Sequence, residues 1–373
     1  MRFEHINKLC NIKDSFSASD ETHDIFIKAM VENYKFQLER QPYIRFLADK
    51  YGIEVDNIHT LEDVYKIPFL FVETMKYNSF CSVPKDEVHT VLTSSGTKGQ
   101  KTQSFFDKGS MDRLQTLAFN TFDSIGYRSS VPVHYFIMSY DINTAKNIGT
   151  SWSDNQMMNL APAKSKHWVI EWDEKSQKFH FDVNKWANKF IELSSDAPVR
   201  LLGFPAFMYQ MVEEIKNING KIKVREESFI LAGGGWKNHL GKSMGINEFA
   251  NYMEENIGLK KGNIGDTYGM AEHGVPYCSC EKGHYHIPVY GHLIVRDPLS
   301  MKIKDIGEEG LLQLVTPYNI AQSNLSVLST DLVVIGENCS CGIKGKYIKS
   351  IRRGGNKKHK GCAIAAQEIL KNS

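Results

Sequence analysis

Residues 93–102 read Thr93-Ser94-Ser95-Gly96-Thr97-Lys98-Gly99-Gln100-Lys101-Thr102 and gather hydroxyl groups, glycines and lysines after a predicted strand at 88–95. Glycines let the backbone approach an anion, and hydroxyl and ammonium groups complete a phosphate cradle. No glycine directly precedes Lys101, so the Walker A pattern is not met and a P-loop NTPase is disfavoured. We predict that this segment binds phosphate; the alternative is an ordinary polar turn.

Three later features point towards a nucleotide. The apolar stretch 229–236, FILAGGGW, ends in glycines that suit a planar ligand lying against the backbone. The stretch 266–274 offers the ring of Tyr268 for stacking on a base and the carboxylate of Glu272 for Mg²⁺. Asp331 precedes another strand candidate, where a carboxylate can accept hydrogen bonds from ribose hydroxyls. Tight turns at the glycines and at Asp331 are the structural alternatives.

The composition excludes several classes of protein. The 373 residues are 42% hydrophobic and 24% charged, which is ordinary for a globular chain. Lys and Arg number 45 and Asp and Glu 43, so the net charge of +2 gives no general reason to expect nucleic acid. No long apolar run predicts a membrane span or a signal peptide. The odd count of 7 cysteines argues against a disulfide framework, so we expect a cytoplasmic protein with reduced thiols.

The order of apolar segments predicts the fold class. Helical patterns begin the chain, with Ser19 or Asp20 expected to cap a helix and Gly52 to end the next one. Strand candidates alternate with helical segments up to about residue 285, and strands dominate after it. We therefore predict an α/β body over 1–285 and a β-rich subdomain over 286–373.

Four cysteines form two C-x-C pairs. The pairs are Cys278 with Cys280 and Cys339 with Cys341, and two histidines follow the first pair. Two thiol pairs separated by strands can converge on one tetrahedral Zn²⁺, which would tie the β-rich subdomain together. The spacing predicts a structural zinc with four thiolate ligands; the alternative is free thiols in two loops. Four thiolates leave no open coordination position, so a catalytic zinc is disfavoured.

Taken in order, the motifs resemble those of the adenylate-forming superfamily, which includes acyl-CoA synthetases. Residues 94–99 match its hydroxyl and glycine loop, 268–272 match its Y-G-x-[ST]-E motif with Ala271 in place of the hydroxyl residue, and Thr330-Asp331 matches its ribose-binding region. The resemblance implies ATP and Mg²⁺ as cofactors. It implies nucleotide contacts from Ser94, Ser95, Gly96, Thr97, Lys98, Gly99, Gly234, Gly235, Tyr268, Gly269, Asp331 and Arg352, with Arg353 as the alternative to Arg352. Lys98 and Glu272 would be catalytic, with Glu272 as the Mg²⁺ ligand.

Within that superfamily the chain resembles the acyl-protein synthetases of bacterial bioluminescence. The loop S-S-G-T-K-G, the segment G-G-G-W-K at 233–237 and the late Cys362 carry this likeness. It implies an adenylate-forming domain with a β-rich subdomain and without the full C-terminal lid domain. Because the chain ends about 40 residues after Asp331, the catalytic lysine of that lid cannot be carried over.

The likeness also implies a reaction. A long-chain fatty acid would be activated as an acyl-adenylate and then passed to Cys362 for delivery to a fatty-acid reductase. Lysines at 357, 358 and 360 precede Cys362, and nearby cations favour the reactive thiolate. Two alternatives stay open: a related adenylating ligase for an aromatic or other acid, and a non-catalytic nucleotide-binding module with a zinc knuckle. Phe204 and Phe207 would line an acyl tunnel or belong to the core.

Overall fold

The computed structural model of the chain describes residues 3–94, 101–140, 153, 155–234 and 244–354. In this part of the chain, helices span Glu4–Cys10, Asp20–Arg40, Pro42–Tyr51, Leu61–Val64, Thr74–Tyr77, Lys108–Ser124, Val183–Asp196, Pro205–Asn219 and Ile246–Ile257. The strands are β1 (Leu70–Phe71), β2 (Thr90–Thr93), β3 (Gln103–Phe106), β4 (Val133–Tyr140), β5 (Ala163–Asp173), β6 (Lys178–His180), β7 (Val199–Gly203), β8 (Phe229–Gly233), β9 (Ile264–Tyr268), β10 (Tyr277–Ser279), β11 (Tyr285–His286), β12 (His292–Arg296), β13 (Glu309–Val315), β14 (Ser326–Glu337) and β15 (Lys346–Arg353).

Within these ranges, thirteen strands form one mixed sheet, and β2 and β3 form a separate hairpin. Twelve of the thirteen follow the order β12-β13-β14-β15-β11-β10-β9-β8-β7-β4-β5-β6, and β1 pairs with β14. Strands β5, β4, β7, β8 and β9 run parallel. Their carboxyl ends therefore lie at one edge of the sheet, which is where α/β proteins usually bind ligands.

The centre of the parallel half is buried, because β4 and β7 are covered on both faces. All eight residues of β4 are buried, as is expected of a parallel strand covered on both sides. The helices Val183–Asp196, Pro205–Asn219 and Ile246–Ile257 bury aromatic and aliphatic side chains in one core cluster with this half. The sheet edge that carries the glycines and Tyr268 thus rests on a packed core.

The antiparallel half is joined to the parallel half through two very short strands. β10 pairs with β9 on one side and β11 on the other, and β11 pairs with β15 through only Tyr285 and His286. The sheet therefore continues across residue 285, and the division there into two domains stays a prediction.

The first long helix is held by a distant part of the chain. Ser19 caps it through a capping box with Thr22, as expected from the sequence. Asn33 donates hydrogen bonds from its side-chain amide to the carbonyls of Pro317 and Asn319, at 2.7 and 2.9 Å. Gln37 donates one to the carbonyl of Ile320 at 3.0 Å. This buried helix face is therefore polar because it satisfies the backbone of residues 317–320.

The sequence prediction for the end of the next helix is also confirmed. Gly52 ends the helix Pro42–Tyr51 with a φ of 63°, which is the left-handed region that glycine favours. Among the described residues no helix combines the length and apolar character that crossing a membrane requires.

Candidate functional site

The β2–β3 hairpin carries the predicted phosphate segment. Its base is closed by two hydrogen bonds of 3.0 Å, from the amide of Ser94 to the carbonyl of Thr102 and from the amide of Thr102 to the hydroxyl of Ser94. Ser94 and Thr102, which flank the undescribed part of the segment, are therefore fixed to each other. The side chain of Gln322 holds β3 in place. It accepts a hydrogen bond from the amide of Phe105 at 3.0 Å and donates one to the carbonyl of Gln103 at 3.2 Å.

Several predicted site residues lie outside the described residues. They are Ser95, Gly96, Thr97, Lys98, Gly99, Gly235 and Cys362. Their roles stay predictions that rest on the sequence.

Glu272 lies beside the base of this hairpin. It is 4% exposed, and burial raises the pKa of its carboxyl group, while the neighbouring Thr102 and Lys76 act in the opposite direction. Asn324 donates a hydrogen bond from its side-chain amide to the carbonyl of Glu272 at 2.9 Å, which fixes the turn. A buried carboxyl whose ionised form is disfavoured is suited to a site where a bound cation stabilises that form.

Gly234 ends the predicted glycine strand in a conformation that needs glycine. Its φ is +79°, and a Cβ atom at this position would lie 2.8 Å from the ring of Phe204. Phe204 and Phe207 are 3% and 0% exposed and belong to the core cluster. Phe204 therefore supports the backbone at the end of β8, and both phenylalanines are core residues.

Tyr268 and Asp331 come together although 63 residues separate them. The Tyr268 hydroxyl donates a hydrogen bond of 2.9 Å to the carboxylate of Asp331. Burial and the Asp331 carboxylate raise the pKa of Tyr268 well above its usual value. The amide of Asp331 is held by the hydroxyl of Ser329 at 2.9 Å. An aromatic ring beside a fixed carboxylate is the pairing that a base and a ribose would require. Gly269 follows Tyr268 and is exposed.

The two candidate arginines on β15 face opposite sides of the sheet. Arg352 lies opposite Leu332, and its guanidinium pairs with both carboxylate oxygens of Glu309, through Nε at 2.8 Å and through Nη2. Arg353 lies directly opposite Asp331 in the antiparallel register. Because directly opposite residues share a face, Arg353 is on the face of Asp331. The geometry favours Arg353, and not Arg352, as a nucleotide contact.

Asp266 is a polar group of this site to which the sequence analysis gave no role. It lies two residues before Tyr268 on β9 and so on the same face. The Tyr285 hydroxyl donates to it at 2.6 Å and the amide of Thr267 at 2.8 Å. Burial raises its pKa to about 6, and these two hydrogen bonds oppose the rise. The sequence signal that could have identified Asp266 is the alternation of side chains along β9, which places residues two apart on the same face.

The cysteine pairs converge, but with a different fourth member. Ligand atoms of Cys280, His286, Cys339 and Cys341 all lie within 4.8 Å of one another. Cys278 is absent from this group because it is 0% exposed and packs in a core cluster that includes Tyr127 and Leu231. β10 ends at Ser279, so Cys280 belongs to the following turn and not to the strand that carries Cys278. His286 therefore takes the place that the spacing assigned to Cys278.

An open cleft of about 720 Å³ lies away from these groups. Its lining includes Ser129, Leu160 and Lys166, near the amino ends of β4 and β5. The glycines and Tyr268 lie at the carboxyl ends of parallel strands. The cleft is therefore at the opposite edge of the sheet.

A comparison with protein families gives a match over residues 5–371 to the family described as "Acyl-protein synthetase, LuxE". The chain belongs to this family. This acyl-protein synthetase is thus an enzyme of the acid–thiol ligase type. It is 23% identical over 360 residues to the long-chain-fatty-acid–luciferin-component ligase of Aliivibrio fischeri, covering 95% of this chain and 91% of the relative. The ligase of the same name from Vibrio harveyi is also 23% identical, with 96% of both chains covered.

Solved structures show the fold of the acyl-protein synthetase. A 2-hydroxyisobutyryl-CoA ligase, solved with 2-HIB-AMP and CoA, superposes with a TM-score of 0.71 at 15% identity. The match covers 92% of this chain and 70% of the other. The fold is that of the adenylate-forming enzymes, as predicted from the order of the motifs.

Proposed function

We propose that this acyl-protein synthetase activates a long-chain fatty acid with ATP and transfers the acyl group to its own Cys362. A fatty-acid reductase would then receive the acyl group from that cysteine. Membership of the family and the names of the two relatives support a fatty acid as the substrate. The assignment of Cys362 rests on the sequence.

The observation that carries the proposal is the pairing of Tyr268 with Asp331. It brings two distant motifs together at the edge of the sheet where the parallel strands end, and the hairpin base and Glu272 also lie close together. In the proposed complex the Tyr268 ring stacks on adenine, Asp331 accepts hydrogen bonds from the ribose hydroxyls, and Arg353 contacts the ribose or a phosphate. The loop residues Thr97 and Lys98 bind the phosphates.

Glu272 fits the role of a metal-binding carboxylate. Its buried carboxyl has a raised pKa, so a divalent cation nearby would stabilise the ionised form. Mg²⁺ bound there would supply charge neutralisation at the phosphates. Asn324 keeps the turn in place through the Glu272 carbonyl, so the carboxyl stays beside Thr102.

The proposed reaction has two steps. A carboxylate oxygen of the fatty acid attacks the α-phosphorus of ATP. The bond between the α-phosphorus and the oxygen that bridges to the β-phosphate breaks, and pyrophosphate leaves. The Cys362 thiolate then attacks the acyl carbon, and AMP leaves with the bonding electron pair. Because the thiol is on the same chain, the second step is intramolecular and gains from a high effective concentration.

The first test is ATP–pyrophosphate exchange across acids of different chemistry. We expect exchange with long-chain fatty acids and little with aromatic or short acids. Exchange only with another acid would assign the chain to the alternative adenylating ligases. Nucleotide binding with no exchange for any acid would favour the non-catalytic module.

The second test locates the acyl group. With labelled fatty acid and ATP, we expect a label on the protein that hydroxylamine removes and that Cys362→Ser no longer carries as a thioester. Cys81→Ser is the matched control, because Cys81 is a free, partly buried thiol that donates to the carbonyl of Val83. A hydroxylamine-sensitive label retained in Cys362→Ser would disprove the acceptor assignment while leaving the adenylation step intact.

A further inference from the structure

We propose that Cys280, His286, Cys339 and Cys341 bind one structural Zn²⁺ that fastens the two halves of the large sheet together. The inference goes beyond the proposed function, since it concerns a site apart from the nucleotide. It also differs from the four-thiolate site expected from the spacing of the cysteines.

The distances between the ligand atoms fit a tetrahedral site. The sulfur atoms of Cys280 and Cys339 are 3.8 Å apart, and Nε2 of His286 is 3.2 Å from the sulfur of Cys341. With zinc–sulfur bonds of about 2.3 Å, the edge of a tetrahedron between two sulfurs is about 3.8 Å. Three sulfurs and one imidazole nitrogen form one of the usual ligand combinations of structural zinc.

Two hairpin turns present the three cysteines, and β11 presents His286. In the first turn, the amide of Cys280 bonds to the carbonyl of His284 at 2.9 Å, and the amide of Gly283 bonds to the carbonyl of Cys280 at 2.8 Å. In the second turn, the amide of Gly342 bonds to the carbonyl of Cys339 at 3.2 Å. The backbone of each turn is thus fixed by hydrogen bonds of its own. Each turn therefore keeps its shape without a metal, and the role of a metal would be to hold the two turns together.

His284 fits the role of a supporting residue. Its Nδ1 lies 3.2 Å from the sulfur of Cys339, and its ring stacks on Tyr347 with the centroids 4.4 Å apart. It is outside the group of four atoms that lie within 4.8 Å of one another. An N–H donated to a metal-bound thiolate orients that thiolate, which is a common arrangement around structural sites.

The place of the site in the fold explains what a metal would do. The two turns lie on either side of the junction where β11, with two residues, links β10 to β15. Tyr268 lies on β9 before this junction, and Asp331 lies on β14 beyond it. A metal that bridges the turns would fix the spacing between the strands that carry these two residues. Four protein ligands leave no open position, so the role is structural.

The experiment uses the full chain, expressed with zinc supplied, and measures metal by elemental analysis. We expect about one zinc per chain in the wild type. Cys339→Ser and His286→Ala should each lose most of it. Cys278→Ser is the matched control, because Cys278 is a buried cysteine of the same C-x-C pair that lies outside the group, and we expect it to keep the metal.

Cobalt substitution tests the ligands without any variant. The Co²⁺ form should show the visible absorption of a tetrahedral thiolate site, and zinc should displace it. Two results would overturn the proposal. One is a wild-type chain that holds neither zinc nor cobalt, which includes a chain found by mass spectrometry to carry a Cys280–Cys339 disulfide instead. The other is a loss of zinc in Cys278→Ser that is as complete as the loss in Cys339→Ser. Metal content is read without ATP or acid, so its failure is distinct from failure of the ligase proposal.

Discussion

Arg352 and Arg353 allow a sharp test of the nucleotide site, because adjacent residues on one strand are predicted to behave differently. We expect Arg353→Ala to weaken ATP binding and Arg352→Ala to leave it nearly unchanged. The reason is the register of β14 and β15, which places Arg353 opposite Asp331 while Arg352 pairs with Glu309.

The expected magnitude follows from the contact that would be lost. A hydrogen bond to a charged partner contributes about 1.5–3 kcal/mol, so Arg353→Ala should raise the Kd for Mg-ATP about 10- to 150-fold. The side chain of Arg352 is 60% exposed, and exposed ion pairs contribute little, so the Kd in Arg352→Ala should stay within about twofold.

Isothermal titration calorimetry with Mg-ATP measures both constants, and thermal unfolding of each variant checks that the fold is retained. Arg353→Lys separates charge from geometry, since lysine keeps the charge without the planar, forked donor group. An equal loss of affinity in the two alanine variants, or a greater loss in Arg352→Ala, would refute the assignment by register.

Three further predictions concern single residues of the site. Tyr268→Phe keeps the ring but removes the hydrogen bond to Asp331, so ATP affinity measured by calorimetry should fall by about tenfold or less; a larger loss would mean that the hydroxyl contacts the ligand itself. Gly234→Ala should lower the free energy of unfolding by about 1–3 kcal/mol in urea titrations, because its φ is +79° and its Cβ would meet Phe204; an unchanged midpoint would contradict this. Asp266→Asn should change how stability depends on pH. The pKa of Asp266 is raised from 3.8 to about 6, so the folded wild type binds more protons than the unfolded chain in that window and loses stability as pH rises through it. Relative to Asp266→Asn, the wild type should therefore lose about 1–3 kcal/mol between pH 4 and pH 7, and a difference that does not vary with pH would contradict the raised pKa.

Apolar runs made much of the fold predictable. The stretch 229–236 contains β8, and the stretch 131–139 overlaps β4, because buried parallel strands require continuous apolar side chains. β15 was less apparent, since five of the eight residues of KYIKSIRR are exposed and four are basic. Ile348 is buried because β15 lies between β14 and β11, and these neighbours are not apparent from the sequence of the strand itself.

The candidate site was predictable in its motifs but not in its partners. Sequence order indicated Tyr268 and Asp331 individually, whereas their hydrogen bond depends on the course of the sheet between β9 and β14. The choice between Arg352 and Arg353 depends on register, which a single strand does not reveal. The spacing predicted Cys278 as a metal ligand, whereas the structure has His286 in that place. β10 ends after three residues, and so short a strand shows no periodic pattern from which the direction of its side chains could be predicted.

The bonds between the first long helix and residues 317–320 have a consequence for folding on the ribosome. Asn33 and Gln37 emerge early, yet their hydrogen-bond acceptors lie 283 to 286 residues later in the chain. Contacts of such long sequence separation form late and slow the folding of a domain. The amides on this helix must stay hydrated, or bound by a chaperone, until nearly the whole sheet has been synthesised. This helix is thus made long before the residues that complete its native environment.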